Sequence, residues 1–311
     1  MTAFIRGFGA YLPRRTLGNS EIAALVGCQP EWILEVSGIE ERRYAEEDET
    51  VSSLALNAAQ DCLHKCRVNA SSLGMVIVAS GSMERRFPGP AATVAHGLGL
   101  DSTPAIDLPM ASAGGLFGIV LAAELTQSHG NILIVGSEKM SPIALRQPRE
   151  AGVSVLFGDG AGACLIGPDS GAAEILDSSV HSDGAFAEDL HLSFDGPIKM
   201  DGRSVILQAS RKIPRAIMTV IERQGLRTDD IDAFLLHQAN QNLINRVAQT
   251  LKVPPERFYS NIRRYGNTSS ASMLIAASEW SNELNFRPGR PIIFGAFGAG
   301  FHWGALLAKG I

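Results

Sequence analysis

Short apolar runs of strand length alternate with segments of helical period along nearly the whole chain. Residues 74–80 (GMVIVAS) and 131–137 (NILIVGS) are continuous, β-branched runs, the pattern of strands covered on both faces. Between them, residues 114–125 are helix-length and apolar, with small residues at the start, which predicts a helix buried nearly all round. The second half repeats the plan. Residues 232–240 (DAFLLHQAN) read as a strand running into a turn, and residues 241–251 are amphipathic at helical spacing. NIRRYGNTSSASMLIAASEW then reads as a loop opening into a helix, and PIIFGAFGAGFHWGALLAKG as two strands around a glycine turn. This alternation predicts an α/β fold.

Two echoes suggest a duplication. FGDGAGACLIG (157–167) and FGAGFHWGALL (297–307) both read as a Gly-rich turn followed by a closing strand. The helix start at Ser112 likewise has a counterpart at residues 267–272. The expected division is 1–170, carrying Ser112, and 171–311, carrying a histidine and an asparagine of interest. Packing the two central helices together would bring both helix starts close in space. No linker or charge run separates the halves.

Bulk composition narrows the function classes. In 311 residues, 45% are apolar and 19% charged, so a sizeable core is expected and disorder is not. A formal net charge of −5 argues against nucleic acid as the main partner. The start of the chain lacks a signal-peptide pattern, and the apolar stretches are too short to span a bilayer. A cytoplasmic protein with no membrane partner is expected. Cys28, Cys62, Cys66 and Cys164 follow no disulfide framework. Cys62 and Cys66 flank His64 at one helical turn, but no second ligand pair follows, so no metal site is expected.

Three polar residues sit where strands end or helices begin. Ser112, in DLPMASAGGLFG, opens the buried helix, where free backbone N–H groups and the helix dipole favour a nucleophile or an oxyanion. His237, in LLHQAN, ends a strand, and an imidazole there can act as base or hydrogen-bond donor near neutral pH. Asn267, in RRYGNTSSAS, stands at the mouth of another helix. Each alone has a plainer reading: a helix cap for Ser112 and Asn267, a satisfied core imidazole for His237. Their joint order, with the turn Gly298-Ala299-Gly300 able to offer a second oxyanion N–H, points to acyl chemistry.

The motifs HQAN, RRYGNTSSAS and AFGAGFHWGA, together with GAYLP, PEWILEVSGIEERR and FGDGAGA, occur in one order over essentially the whole chain. In these the chain resembles the β-ketoacyl-acyl-carrier-protein synthase III family. The resemblance implies a duplicated five-layer αβαβα thiolase fold, a homodimer and ping-pong chemistry. An acyl group from an acyl-coenzyme A or acyl-carrier-protein thioester is loaded on the nucleophile, then condensed with a malonyl thioester after decarboxylation. No permanently bound cofactor is implied. Ser112 stands in place of the family's nucleophilic cysteine. His237 and Asn267 stand where the family holds the thioester carbonyl and stabilises the enolate. The N–H groups of Ser112 and Ala299 match the oxyanion hole. Trp32, Phe87, Phe157, Arg203, Ala239 and Asn240 match substrate-contacting positions, Phe87 reaching into the partner subunit's acyl pocket. Phe157 and Phe194 are expected to shape the acyl pocket.

Three departures qualify the likeness. Serine must lose its proton to a base, whereas cysteine is already partly thiolate. A natural serine enzyme using His237 as base, a substitution made to trap a substrate, and a chain that has lost condensing activity all fit this. The family's coenzyme A arginines are replaced by Val36 and Ala151, and its carrier-protein arginine by Asn242, while Arg203 stands for an asparagine. That points towards specialised polyketide or fatty-acid-derived metabolism. A basic cluster at Arg211, Lys212 and Arg215 offers a face for an acidic carrier protein. Ala299 requires a turn open to ordinary residues, and His302 just beyond could add a polar group near the site, its plainer place being at solvent or at the dimer partner. Acyl transfer to oxygen or nitrogen without C–C bond formation, and an inactive partner subunit, are the alternatives.

Overall fold

The computed structural model describes residues 2–284 and 286–311. Ten strands make one hydrogen-bonded sheet: β1 (Phe4–Tyr11), β2 (Leu73–Ala79), β3 (Ala105–Leu108), β4 (Asn131–Glu138), β5 (Gly160–Gly167), β6 (Ala173–Ser182), β7 (Ala233–Leu236), β8 (Phe258–Tyr259), β9 (Pro291–Gly298) and β10 (His302–Gly310). Their order is β8-β7-β9-β10-β6-β1-β5-β4-β2-β3. The first five strands and the last five therefore repeat one arrangement. In each set three strands run parallel, and the last two to pair are antiparallel. The sets meet at a short antiparallel junction, Phe4 opposite Glu174 and Ile5 opposite Ala173. The duplication read from the two Gly-rich echoes is thus present in the topology, since the echoes become β5 and β10.

Helices complete five layers. α1 (Pro30–Ser37) lies near the site, and α2 (Val51–Cys66) covers the outer face of the first set of strands. α4 (Gly202–Arg223) and α5 (Gln241–Leu251) are associated with the second set, α4 packing on its outer face. Between the two sets run α3 (Gly114–His129) and α6 (Ser272–Glu283), each touching strands of both. This position explains why the start of α3 has no polar face. Its small residues let the backbones close in: a Cβ at Gly115 would lie 2.7 Å from the Ser270 carbonyl oxygen. Ile5, Ile134, Leu235, Phe294 and Leu306 meet in this central layer with no exposed surface. Burying such side chains contributes roughly 1.5–3 kcal/mol each.

One surface expectation changes. Lys212 is not part of a free basic face: its ammonium lies 2.9 Å from Asp183 and 4.1 Å from the centre of the Trp303 ring. Only Arg211 and Arg215 of that trio stand exposed. Cys62 and Cys66 sit against β1, the Cys62 thiol donating weakly to the Gly7 carbonyl at 3.7 Å, while His64 points to solvent. No helix among the described residues is long and apolar enough to cross a membrane.

Candidate active site

Ser112 ends the loop after β3 and precedes α3 with a left-handed backbone, φ 59°. A non-glycine residue there is costly, and such strain persists where surroundings over-determine it. Two contacts do so. The Ser112 N–H donates to Ser269 Oγ at 2.9 Å. On the other side β9 ends against the bend: a Cβ at Gly298 would meet the Ala111 carbonyl oxygen at 2.5 Å and Ser112 Cβ at 2.9 Å. Only glycine allows that approach.

Asn267 is fixed by its own backbone. Its N–H donates to the Leu156 carbonyl at 2.8 Å, and its carbonyl accepts from the Gly158 N–H at 3.1 Å. Its Oδ1 accepts from the Ser269 N–H at 2.8 Å, while the amide nitrogen has no acceptor among the described residues. Ser269, itself left-handed at φ 48°, thereby links Asn267 to Ser112. The helix starts expected to converge do so.

His237 follows β7, its N–H donating to the Gly295 carbonyl at 2.8 Å. Nδ1 lies 2.5 Å from Ser272 Oγ, which also accepts from the Gln238 N–H at 3.0 Å. Nε2 is the ring nitrogen left for the cavity. Burial pushes the imidazole down to about 4, against a smaller opposing effect of the Ser269 backbone, so the ring is neutral at physiological pH.

Ser112, His237 and Asn267 line one cavity of about 440 Å³. One wall is Met140, Leu156, Phe157, Leu192, Ile198 and Met200. The other is Ile213, Leu236, Leu243, Ile244, Val247 and Phe297, drawn from the layer between α4, α5 and the sheet. An apolar slot with a few convergent polar groups at one place suits a largely aliphatic ligand with a single reactive carbonyl.

The remaining expected site residues divide. Trp32, Phe157, Ala239 and Ala299 line the cavity. Ala299 avoids positive φ, which Gly300 takes instead at 139°. Asn240 also lines it, yet both ends of its amide are engaged: Oδ1 caps α5 at the Asn242 N–H, 2.8 Å, and Nδ2 donates to the Val36 carbonyl, 2.8 Å. Phe87 is 85% exposed and Arg203 lies exposed beside the cavity, so neither touches it within one chain. Phe194 is not a pocket residue: it is 72% exposed, with the Arg86 guanidinium 3.9 Å above its ring. The Ser112 N–H is already given to Ser269, so a substrate oxyanion would have to share or displace that bond. Asn242, although exposed, donates its amide to the Glu35 and Val36 carbonyls.

Sequence reading missed Ser269, Ser272 and Glu138. The two serines sat inside the quoted NTSSAS motif, and their partners could be known only from the fold. Glu138 at the end of β4 is fully buried and accepts from the N–H groups of Gly81 and Ser270 and from Ser80 and Ser82. Of the two places open to His302, the structure takes the one near the site: it lines the cavity.

Residues 106–184 match the family described as 3-oxoacyl-[acyl-carrier-protein (ACP)] synthase III, and residues 221–309 match its C-terminal part. A β-ketoacyl-[acyl-carrier-protein] synthase III from Listeria welshimeri is 35% identical over 99% of both chains. The crystal structure of 3-oxoacyl-[acyl-carrier-protein] synthase III from Aquifex aeolicus superposes with a TM-score of 0.94 at 33% identity, covering 99% of both chains. The priming β-ketosynthase of the R1128 polyketide pathway superposes at 0.90 with 30% identity, over 99% of this chain and 96% of that one. With this likeness running from end to end, and with the thiolase-type sheet and site just described, the chain belongs to the 3-oxoacyl-[acyl-carrier-protein] synthase III family.

Proposed function

We propose that this protein is a condensing enzyme of the synthase III type, acting in specialised polyketide or fatty-acid-derived metabolism. It loads an acyl group from a coenzyme A or carrier-protein thioester onto Ser112 and condenses it with malonyl-acyl-carrier protein. The observation that carries the reading is the convergence of Ser112, His237 and Asn267 in one apolar cavity. In the loading step the Ser112 oxygen attacks the thioester carbonyl, the C–S bond breaks, and the serine proton leaves finally on the thiol. In the second step the malonyl thioester loses carbon dioxide, and its enolate oxygen is held by His237 and Asn267 as its carbon attacks the acyl ester; the ester C–O bond to Ser112 then breaks, and the serine oxygen takes one proton from water to become the hydroxyl again. Neutral His237 and the free amide nitrogen of Asn267 suit that task, because both can meet a developing oxyanion without an ionic partner. The losses at Val36, Ala151 and Asn242 support a donor other than the housekeeping one.

A homodimer belongs to the same reading. Phe87, 85% exposed on one chain, would close the neighbouring acyl pocket. A forced monomer should then lose acyl-chain selectivity; an equally selective monomer would refute this part.

Acyl transfer to oxygen or nitrogen is favoured by one observation, the serine itself. Its oxygen ester is a poorer acyl donor to a carbanion than a thioester. The experiment is intact-protein mass after incubation with a panel of acyl-coenzyme A thioesters, beside the Ser112→Cys form, followed by product mass with malonyl-carrier protein. An acyl increment at Ser112 and carbon dioxide release are expected. Transfer without carbon dioxide favours the second reading. No increment on the serine form, with uptake on the cysteine form, would remove loading at Ser112.

A further inference from the structure

A serine nucleophile needs a base, and the two side chains of the family motif are committed to the substrate carbonyl. To donate to that oxygen Nε2 of neutral His237 must carry its proton, and in that tautomer the same nitrogen cannot accept the serine proton. A second imidazole stands in the same cavity. His302 opens β10 directly opposite Gly298 at the end of β9. Side chains directly opposite in an antiparallel pair share one face of the sheet. The face of Gly298 is the one that abuts Ser112, because a Cβ there would lie 2.9 Å from Ser112 Cβ. His302 therefore extends from the Ser112 side of this ladder.

Its ring is also placed. It lies across Gly300, where a Cβ would collide with Cδ2 and Nε2 of the imidazole, so the glycine of the turn leaves room for it. The edge of the ring meets Phe117 at a centroid distance of 5.7 Å and an interplanar angle of 70°, and Phe117 belongs to the helix that Ser112 introduces. Nδ1 lies 2.7 Å from Ser182 Oγ, which fixes the ring's rotation. Nε2 has no hydrogen-bond partner among the described residues, and the residue lines the cavity that holds Ser112. One nitrogen anchored and the other free in a reactive cavity is the arrangement a proton acceptor requires.

We propose that His302 is the catalytic base of the serine nucleophile. During loading, Nε2 takes the Ser112 hydroxyl proton, directly or through one water, as the serine oxygen bonds to the thioester carbon. When the C–S bond breaks, the imidazolium returns that proton to the departing thiolate, which leaves as the free thiol. Atoms and charge balance with no further reactant. Burial holds His302 below its ordinary value, so the neutral, accepting form is the one present near pH 7. The inference rests on loading at Ser112 and adds to it the group that makes a hydroxyl competent.

The test compares two nucleophiles. His302→Gln and His302→Thr are each made in the serine form and in the Ser112→Cys form, and native thermal unfolding is checked first. Single-turnover acylation by acetyl- and octanoyl-coenzyme A is then followed by intact mass. A base contributes on the order of 100-fold or more to such a step. The serine form should slow by about that factor, and by at least tenfold more than the cysteine form, whose thiolate depends less on a base. Equal slowing of both forms would reduce His302 to packing, and no slowing of the serine form would remove it from the reaction; either result overturns the proposal while loading stands. Failure of the serine form to acylate even with His302 intact would overturn loading and proposal together.

Discussion

At the residue scale, the site is built from neutral groups held in costly positions. His237 loses its charge because burial outweighs the help of the Ser269 backbone. Its folded value, about 4, is depressed below the ordinary 6.5, so the unfolded chain binds the extra proton between those values. Stability from this group is therefore complete above pH 6.5 and is lost as pH falls towards 4, by about 3 kcal/mol. Denaturant unfolding of the parent and of His237→Asn at pH 7 and pH 4 should show the gap between them shift by about that amount in favour of the variant at pH 4. A gap independent of pH would mean that the imidazole is not buried neutral. Gly298 is the second such position. In Gly298→Ala the new methyl must displace the Ala111–Ser112 bend, which is backbone and gives little. Misplacing a nucleophile by about 1 Å can cost about 100-fold, so acyl uptake should fall by that order while the protein stays folded. Uptake within threefold of the parent, read by single-turnover mass, would show that the bend is more compliant than its contacts imply.

At the scale of elements, the question is what holds several chain segments in register around Ser112. Glu138 does much of this, at the end of β4. Its carboxylate takes the Gly81 and Ser270 N–H groups and the Ser82 hydroxyl, tying the loop after β2 to the turn before α6. Glu138→Ala would leave two buried backbone donors without partners, at roughly 1–3 kcal/mol each. A loss of about 2–6 kcal/mol in urea unfolding is expected, with Glu138→Gln, which can still accept from the backbone donors, losing clearly less. Equal losses would make the contribution one of volume. The tie between α1 and α5 is of the same kind: Asn240 and Asn242 both donate to carbonyls near the end of α1. Residues matched to coenzyme A and carrier-protein contacts thus serve a helix junction in this chain.

At the scale of the molecule, the two sets of five strands do not own separate cores. The central cluster takes Ile5, Ile134 and Ile166 from the first and Leu235, Phe294 and Leu306 from the second, with α3 and α6 between them. Ser112 lies in one set, and His237 and Asn267 in the other, so the site exists only when both are folded together. A fragment of residues 1–170 would expose the apolar face of α3 over its length. It should give no cooperative thermal unfolding by calorimetry, whereas the full chain should; a cooperative fragment would show that the first set is a domain in its own right.

The sequence by itself determined the α/β alternation, the buried helix after Ser112 and the two Gly-rich echoes, because strand and helix periods and turn glycines are local properties. Through quoted motifs it also determined the family and three residues that converge. It placed Phe194 in the pocket and Lys212 on a free face, and the fold overturned both; it left His302 between the site and solvent, and the fold put it in the cavity lining. Those outcomes turn on partners distant in the chain: Arg86 over Phe194, Asp183 and Trp303 around Lys212, and Phe117 and Ser182 against His302. The Ser269 bond to the Ser112 N–H and the burial of Glu138 were likewise decided by tertiary structure. Their partners lie 157 and 132 residues away along the chain, a separation over which no local pattern carries information.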